Sequence, residues 1–245
     1  MAATGMLVQR KKMDVITNNI TNVDTTGYKK DQLLSRSFKD MLISKIDDPA
    51  VVNYSTAIGS QNTGVHIDEV VTDFSSGSLE ETGEMTDLAI QGDGFFTVST
   101  KNGERYTRDG SFSVNSEGYL VTADGNYVLG TSGKIRVGTG KFTVSEQGVV
   151  SVNGTPAGKL KIVNFADTAG LRKEGSNLYA NYSTSIVSST GETAVKQGCL
   201  EGSNVDIASE MVDMLSVSRM YETNQRMVKM LDESLDKAVN EVGRV

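Results

Sequence analysis

The chain reads as a mainly β protein with terminal α-helices: a discontinuous, coiled-coil-like helical domain built from both ends, around a β-rich centre. Three observations predict this. An apolar residue recurs every seventh position from Ile207 through Met214, Tyr221, Val228 and Leu235 to Val242. A shorter seam runs through Met6, Met13, Ile16, Ile20 and Val23. Between the two, short apolar runs alternate with glycine-bearing turn dipeptides. The expected organisation is a terminal helical assembly domain (1–46 with 200–245), an extended linker region (47–86) and a β-rich outer domain (87–199). Ends that can pair with each other and with neighbours suit an assembly subunit better than an enzyme.

The first helix is expected from Ala2 or Ala3 to about Asn22. Asp24-Thr-Thr-Gly27 supplies the stop, Gly27 being able to take the left-handed conformation that ends helices. Leu33, Leu34, Phe38, Met41 and Leu42 give a second, weaker helical pattern over 28–46, closed by Asp47-Asp-Pro49. From Ala50 to Gly83 the chain is polar and glycine-bearing, and reads as extended segments and linker. Over 87–195, pairs such as Asp93-Gly94, Asn102-Gly103, Asp109-Gly110 and Asn153-Gly154 punctuate runs such as Phe95-Phe-Thr-Val98, as hairpin turns do. A repeat is visible inside this region. Gly110-x-Phe112-x-Val114-x3-Gly118-x-Leu120 returns as Gly140-x-Phe142-x-Val144-x3-Gly148-x-Val150, which favours a duplicated strand–turn–strand unit.

Ser203-Asn204-Val205-Asp206 matches the capping box that opens a helix. From there the last helix can continue to about Val242, a rod of roughly 55 Å. Its heptad line is supported by Val217, Leu231 and Ala238 and interrupted by Glu210 and Asn224, a polar seam residue able to set register. Met211, Met220 and Met227 lie off the line and widen the apolar surface. A single partner helix hides one stripe only, and a lone helix is marginal in water. The ends are therefore expected to order fully on assembly, where the buried seam must exceed the entropy cost.

Composition narrows the function. The chain has 245 residues, with 31 acidic against 24 basic, and so lacks the basic footprint of a nucleic-acid binder. No run of about 18 apolar residues exists to form a membrane-spanning helix. The N-terminus has no basic region ahead of an apolar core, so a standard secretory signal is not expected. Cys199 is the single cysteine and reads as a small buried hydrophobe.

Several motifs carry a resemblance. Asn18-Asn-Ile-Thr-Asn22-Val-Asp-Thr-Thr-Gly27-Tyr-Lys29 resembles the N-terminal signature of the bacterial flagellar rod and hook proteins. Asp87-Leu-Ala-Ile-Gln-Gly92-Asp-Gly94-Phe-Phe96, Tyr106-Thr-Arg-Asp-Gly110 and Gly118-Tyr-Leu-Val-Thr-Ala-Asp-Gly125 resemble the family's central motifs. Leu200-Glu-Gly-Ser-Asn-Val205, Glu210-Met-Val-x-Met214 and Arg219-Met-Tyr-Glu222-x-Asn224 resemble its C-terminal signature. The resemblance covers nearly the whole chain in order. It implies an axial subunit of the flagellar basal body, exported through the flagellar apparatus. Such subunits stack into a hollow tube with themselves and with other rod and hook axial proteins.

The chain lacks the extra outer domain of hook proteins, which points to a rod subunit of proximal or distal type. Two features depart from the family pattern. The family usually has several residues before the Ala-Ala-Thr-Gly-Met stretch, and Thr21 stands where alanine is common; threonine lowers helix propensity.

The expected assembly interface is Met6, Met13, Ile16, Asn18, Asn19, Ile20, Asn22 and Val23 at one end. At the other it is Ile207, Met211, Met214, Val217, Tyr221, Asn224, Val228, Leu231, Leu235 and Val242. The amides of Asn18, Asn19 and Asn22 can satisfy exposed backbone groups or bridge to a neighbour. Tyr28 and Lys29 can dock the outgoing chain on the helix. No catalytic, metal or cofactor site is expected. A muramidase using acid pairs such as Asp68 with Glu69 or Glu80 with Glu81 is the enzymatic alternative, but neighbouring strand residues point to opposite faces. A calcium-binding surface adhesin is the other alternative, and its acids lack the regular spacing of calcium repeats.

Overall fold

Apolar spacing makes the first helix, α1 (Ala2–Thr21), with Val8, Val15 and Ile16 buried. It ends one residue before Asn22, whose carbonyl accepts from Thr25 N at 3.2 Å. The structure is a computed structural model that describes residues 2–45, 56–138, 140–175, 177–182, 186–188 and 193–242. The chain forms two compact units: a terminal unit of Met1–Ile20, Asp31–Thr72 and Ile207–Val245, and a β-rich unit of Thr21–Lys30 and Asp73–Asp206.

In the terminal unit, α1 is followed by strands where a second helix was expected. β1 (Asp31–Ser37) and β2 (Met41–Lys45) occupy most of 28–46. β3 (Thr56–Gln61) pairs with β2, and β4 (Val65–Thr72) pairs with β1, both antiparallel. The reason is tertiary. Asn19 takes both backbone groups of Asp31, Nδ2 donating to its carbonyl at 2.9 Å and Oδ1 accepting from its amide at 3.0 Å. Those groups are no longer free for a helical ladder, and Val65–Thr72 supplies an alternating partner strand. Context overrides a weak helical pattern. The stop expected at Asp47-Asp-Pro49 lies outside the described residues.

The last helix, α2 (Ile207–Lys237), continues as a π-helical turn over Ala238–Val242. It starts later than the capping-box reading placed it. Ser203 Oγ instead accepts from Val205 N two residues on, at 3.2 Å. Asn204 is held outside the helix: its Oδ1 accepts from Lys30 N at 2.8 Å and its Nδ2 donates to Asp73 O at 2.9 Å.

The β-rich unit centres on a strand buried on both faces, Phe95–Thr100, paired with Gly103–Thr107, Tyr127–Gly130 and Ile162–Phe165. Alternation sends Phe96 and Val98 to one core with Phe112, Leu120, Val128, Phe142 and Val150. Phe95 goes to a second, aromatic core with Tyr106, Phe165 and Tyr179. Each such burial stabilises by roughly 1.5–3 kcal/mol.

The repeat is real. Leu120 sits opposite Val114, and Val150 opposite Val144. In each copy the turn glycine donates to the residue three before it (Gly118 to Asn115 O, Gly148 to Ser145 O), and its carbonyl accepts from Val137 N or Leu160 N at 2.8 Å. Asn153 (φ 50°) and Gly154 (φ 83°) close the hairpin in which Val152 pairs with Thr155, the two-residue turn expected of Asn-Gly. Cys199 is buried, as expected.

Candidate assembly interface and buried ionic node

The two helices of the terminal unit touch along one antiparallel line. Asn224 lies across Gly5, where a methyl group would stand 3.1 Å from the amide Nδ2. Gln9 Nε2 donates to Met220 Sδ at 3.8 Å, and Asn19 Nδ2 reaches Glu210 Oε2 at 3.3 Å. Each step forward in α1 is matched by the same step back in α2. Burial follows: Val217 is buried, and Met214, Tyr221, Asn224 and Val228 are half-buried at the alternating three- and four-residue spacing of one helix face. From α1, Ile16 and Asn19 are buried, while Met6, Met13 and Ile20 are half-buried.

The remaining expected interface residues fall into two groups. Asn22 and Val23 lie in the turns after α1, half-buried, and Thr25 Oγ1 donates to Asn22 Oδ1 at 3.2 Å. Asn18, Ile207, Met211, Leu231 and Leu235 are exposed; the side chain of Val242 lies outside the described residues. The seam therefore continues bare beyond Val228, with Leu231 58% and Leu235 64% exposed.

Tyr28 and Lys29 do dock the outgoing chain, but their partners belong to the β-rich unit. Lys29, Arg108 and Glu201 form a node that sequence reasoning missed, all at 2% exposure or less. Glu201 Oε1 accepts from Lys29 Nζ at 2.6 Å and from Gly77 N at 3.1 Å; Oε2 accepts from Arg108 Nη1 at 3.3 Å. Lys29 Nζ also donates to Ser75 O at 2.7 Å, and Arg108 Nη1 to Gly92 O at 2.9 Å. The guanidinium lies 5.1 Å from the centre of the Phe95 ring. Beside the node, the Lys173 ammonium sits 4.2 Å over the ring of Tyr28 and donates to Lys29 O.

Burial in this apolar surround pulls the Lys29 pKa down, with Glu201 opposing, and does the same to Arg108. Gly27 (φ 66°) makes the approach possible. A side chain there would meet Asp109 N at 2.4 Å, and its amide donates to Glu201 O at 2.7 Å.

The node has a positional consequence. The chain passes between its two units after Ile20, Lys30, Thr72 and Asp206. Inside the β-rich unit, Asp73 N donates to Lys30 O at 2.9 Å, and the Asn204 side chain bonds both Lys30 and Asp73. Lys30, Asp73 and Asn204 are thus tied together inside the β-rich unit, next to the buried ions. A sequence signal was available in hindsight: Lys29, Arg108 and Glu201 each sit inside one of the three motif groups and next to, or two residues from, a glycine.

Asp68 pairs with Arg36 at 2.9 Å, and Glu80 and Glu81 are adjacent on a strand paired with Cys199–Glu201. Among the described residues no group of three or more histidines, cysteines and acids is placed to hold a metal ion. Among the described residues no helix is long and apolar enough to cross a membrane.

Comparison with known proteins brings three family models onto the chain. Residues 1–29 match the flagella basal body rod protein model, 89–152 the flagellar hook protein FlgE/F/G D1 domain, and 196–241 the flagellar basal body rod FlgEFG protein C-terminal model. Among similar proteins, the flagellar hook-basal body complex protein FlhO of Bacillus subtilis (strain 168) is 36% identical, the alignment covering 100% of this chain and 97% of the relative. The flagellar basal-body rod protein FlgG of Borreliella burgdorferi is 37% identical, over 98% and 96%. The flagellar basal-body rod protein FlgF of Caulobacter vibrioides is 34% identical, over 96% and 94%.

Proposed function

Since the chain belongs to the family of flagellar hook and basal-body rod proteins, we propose that it builds the rod by packing its terminal helices against those of neighbouring subunits. It is a structural subunit of the flagellar basal body. In this reading the subunit is non-enzymatic, leaves the cell through the flagellar export channel, and stacks with copies of itself and other axial proteins into a hollow, torque-transmitting tube. The helical seams act as a coiled-coil-like joint between subunits, and the β-rich unit as the stiff outer sleeve.

One observation supports this above the others. Among the described residues, every exposed large apolar side chain except Leu79, Met85 and Tyr182 lies in the terminal unit. Exposed apolar surface of this extent marks a surface that is covered in the working state.

The test is genetic. Deleting the gene should remove the rod and motility together, and the wild-type chain should restore both. A chain carrying Tyr221→Asp and Val228→Asp should restore neither, while its β-rich unit melts as in the wild type. Normal rods from that double variant would refute the helical-packing reading.

A further inference from the structure

The β-rich unit includes one segment from far upstream in the chain, Thr21–Lys30. We propose that this segment is a releasable strap: it lifts as one piece while both apolar cores stay folded, because its departure takes a surplus charge out of the buried node. The strap works in the free chain, whatever that chain assembles with.

The segment contributes little to either core. Its buried residues are Gly27, Tyr28 and Lys29, so Tyr28 is the one buried apolar side chain that lifting exposes. Neither apolar cluster of the unit includes a residue from it. Its holds are largely polar. Thr26 Oγ1 donates to Asp109 Oδ1 at 2.7 Å, and Asn177 Nδ2 donates to Thr26 O at 2.8 Å. Gly27 N donates to Glu201 O, Lys30 N to Asn204 Oδ1, and Lys173 Nζ to Lys29 O. Water replaces such bonds when the segment lifts, so the net contribution of each is modest. Segments with few apolar contacts are the ones that open without global unfolding.

Charge favours the same event. With the strap docked, two cations, Lys29 and Arg108, share the one carboxylate of Glu201, all at 2% exposure or less. Lifting Lys29 loses its attraction to Glu201. It also returns water to the ammonium and ends the repulsion from Arg108. What stays behind is a balanced pair, Arg108 with Glu201 at 3.3 Å, and Glu201 Oε1 still accepts from Gly77 N at 3.1 Å. The lowered pKa of Lys29 agrees: burial outweighs the pull of Glu201, and Arg108 adds to the lowering. An open strap lets the chain between α1 and β1 change its path with both cores intact.

Residue-resolved hydrogen exchange on the full-length chain tests the release. The amides of Gly27 and Lys30, with that of Asp73, which donates to Lys30 O, should share one protection factor. It should be at least about tenfold below those of Leu120, Val137 and Leu160 in the larger core, and nearly independent of urea. If strap and core amides share one protection factor and one urea slope, the segment opens only with the whole unit, and the proposal is overturned.

Arg108→Met tests the cause. No repulsion is then relieved when Lys29 leaves, so protection of Gly27 and Lys30 should rise by at least about threefold even as the core weakens. A strap held by packing alone loses protection in this variant, and that result would reject the charge mechanism. If Arg108→Met fails to fold, Glu201→Gln decides instead. It removes the attraction and keeps the repulsion, so strap protection should fall by at least about threefold; unchanged protection would overturn the proposal.

Discussion

The two units of this chain treat apolar side chains in opposite ways. The β-rich unit spends them inward: Phe95 and Phe96, neighbours on one strand, anchor separate cores on its two faces. Among the described residues of the terminal unit only Val8, Val15, Ile16 and Val217 are buried apolar residues, while Leu231, Leu235, Val212 and Leu215 face solvent. One unit buries its apolar side chains by itself; in the proposed reading the other is half of a contact. A two-stranded ribbon such as β1 with β4 is marginal by itself, so the same asymmetry covers the strands as well as the helices. Stability and assembly should therefore respond to different substitutions.

Phe96→Ala should mark one extreme. It removes a ring that meets Phe112 edge-on at 5.2 Å, and it should cost about 3–5 kcal/mol in a urea melt of the β-rich unit. Glu201→Gln should be of similar size, about 3–5 kcal/mol, because it leaves Lys29 and Arg108 buried without their shared carboxylate. A loss below about 1 kcal/mol would mean that the node contributes little to the stability of the β-rich unit. Asn19→Ala should follow at about 1–3 kcal/mol, read in the terminal unit, since it strips the partners from both backbone groups of Asp31. Leu235→Asp marks the other extreme. At 64% exposure it should leave the melt of the isolated chain within about 0.5 kcal/mol of wild type and yet abolish rod incorporation. If it destabilised the monomer as much as Phe96→Ala, the contrast between the units would be lost.

The difference between the units also explains what could be read from the residues alone. The seam of α2 was legible because helical periodicity is local: Met214, Tyr221 and Val228 announce their shared face without any partner. The paired turns at Gly118 and Gly148 were legible because each hairpin carries its whole specification within about ten residues. Residues 31–45 were misread because Leu33, Leu34, Phe38, Met41 and Leu42 suit either period, and the deciding contact comes from Asn19. The node was invisible for a related reason. Lys29 and Glu201 stand 172 residues apart, and neither is unusual in its own neighbourhood; their burial is a property of the closed fold. Thus the exposed apolar seam of the last helix was easier to read than the ionic node buried inside the β-rich unit.

The buried node carries a pH signature of its own. In the folded chain Lys29 gives up its proton below the ordinary lysine value of 10.5, because burial penalises its charge more than Glu201 rewards it. Below the folded pKa both states are protonated, and the penalty is constant. Between the folded pKa and 10.5 the unfolded chain binds more protons than the native one, so the Lys29 contribution to stability rises with pH. The neutral amine can still donate to Glu201 and Ser75 O, so the hydrogen bonds of the node persist. Urea melts of wild type and Lys29→Met from pH 7 to 10.5 should show the wild type gaining on the variant toward the alkaline end. If Lys29→Met gained instead, the ion pair with Glu201 would outweigh the cost of burying the charge, and the node would be held by attraction between its ions more than by the packing that encloses them.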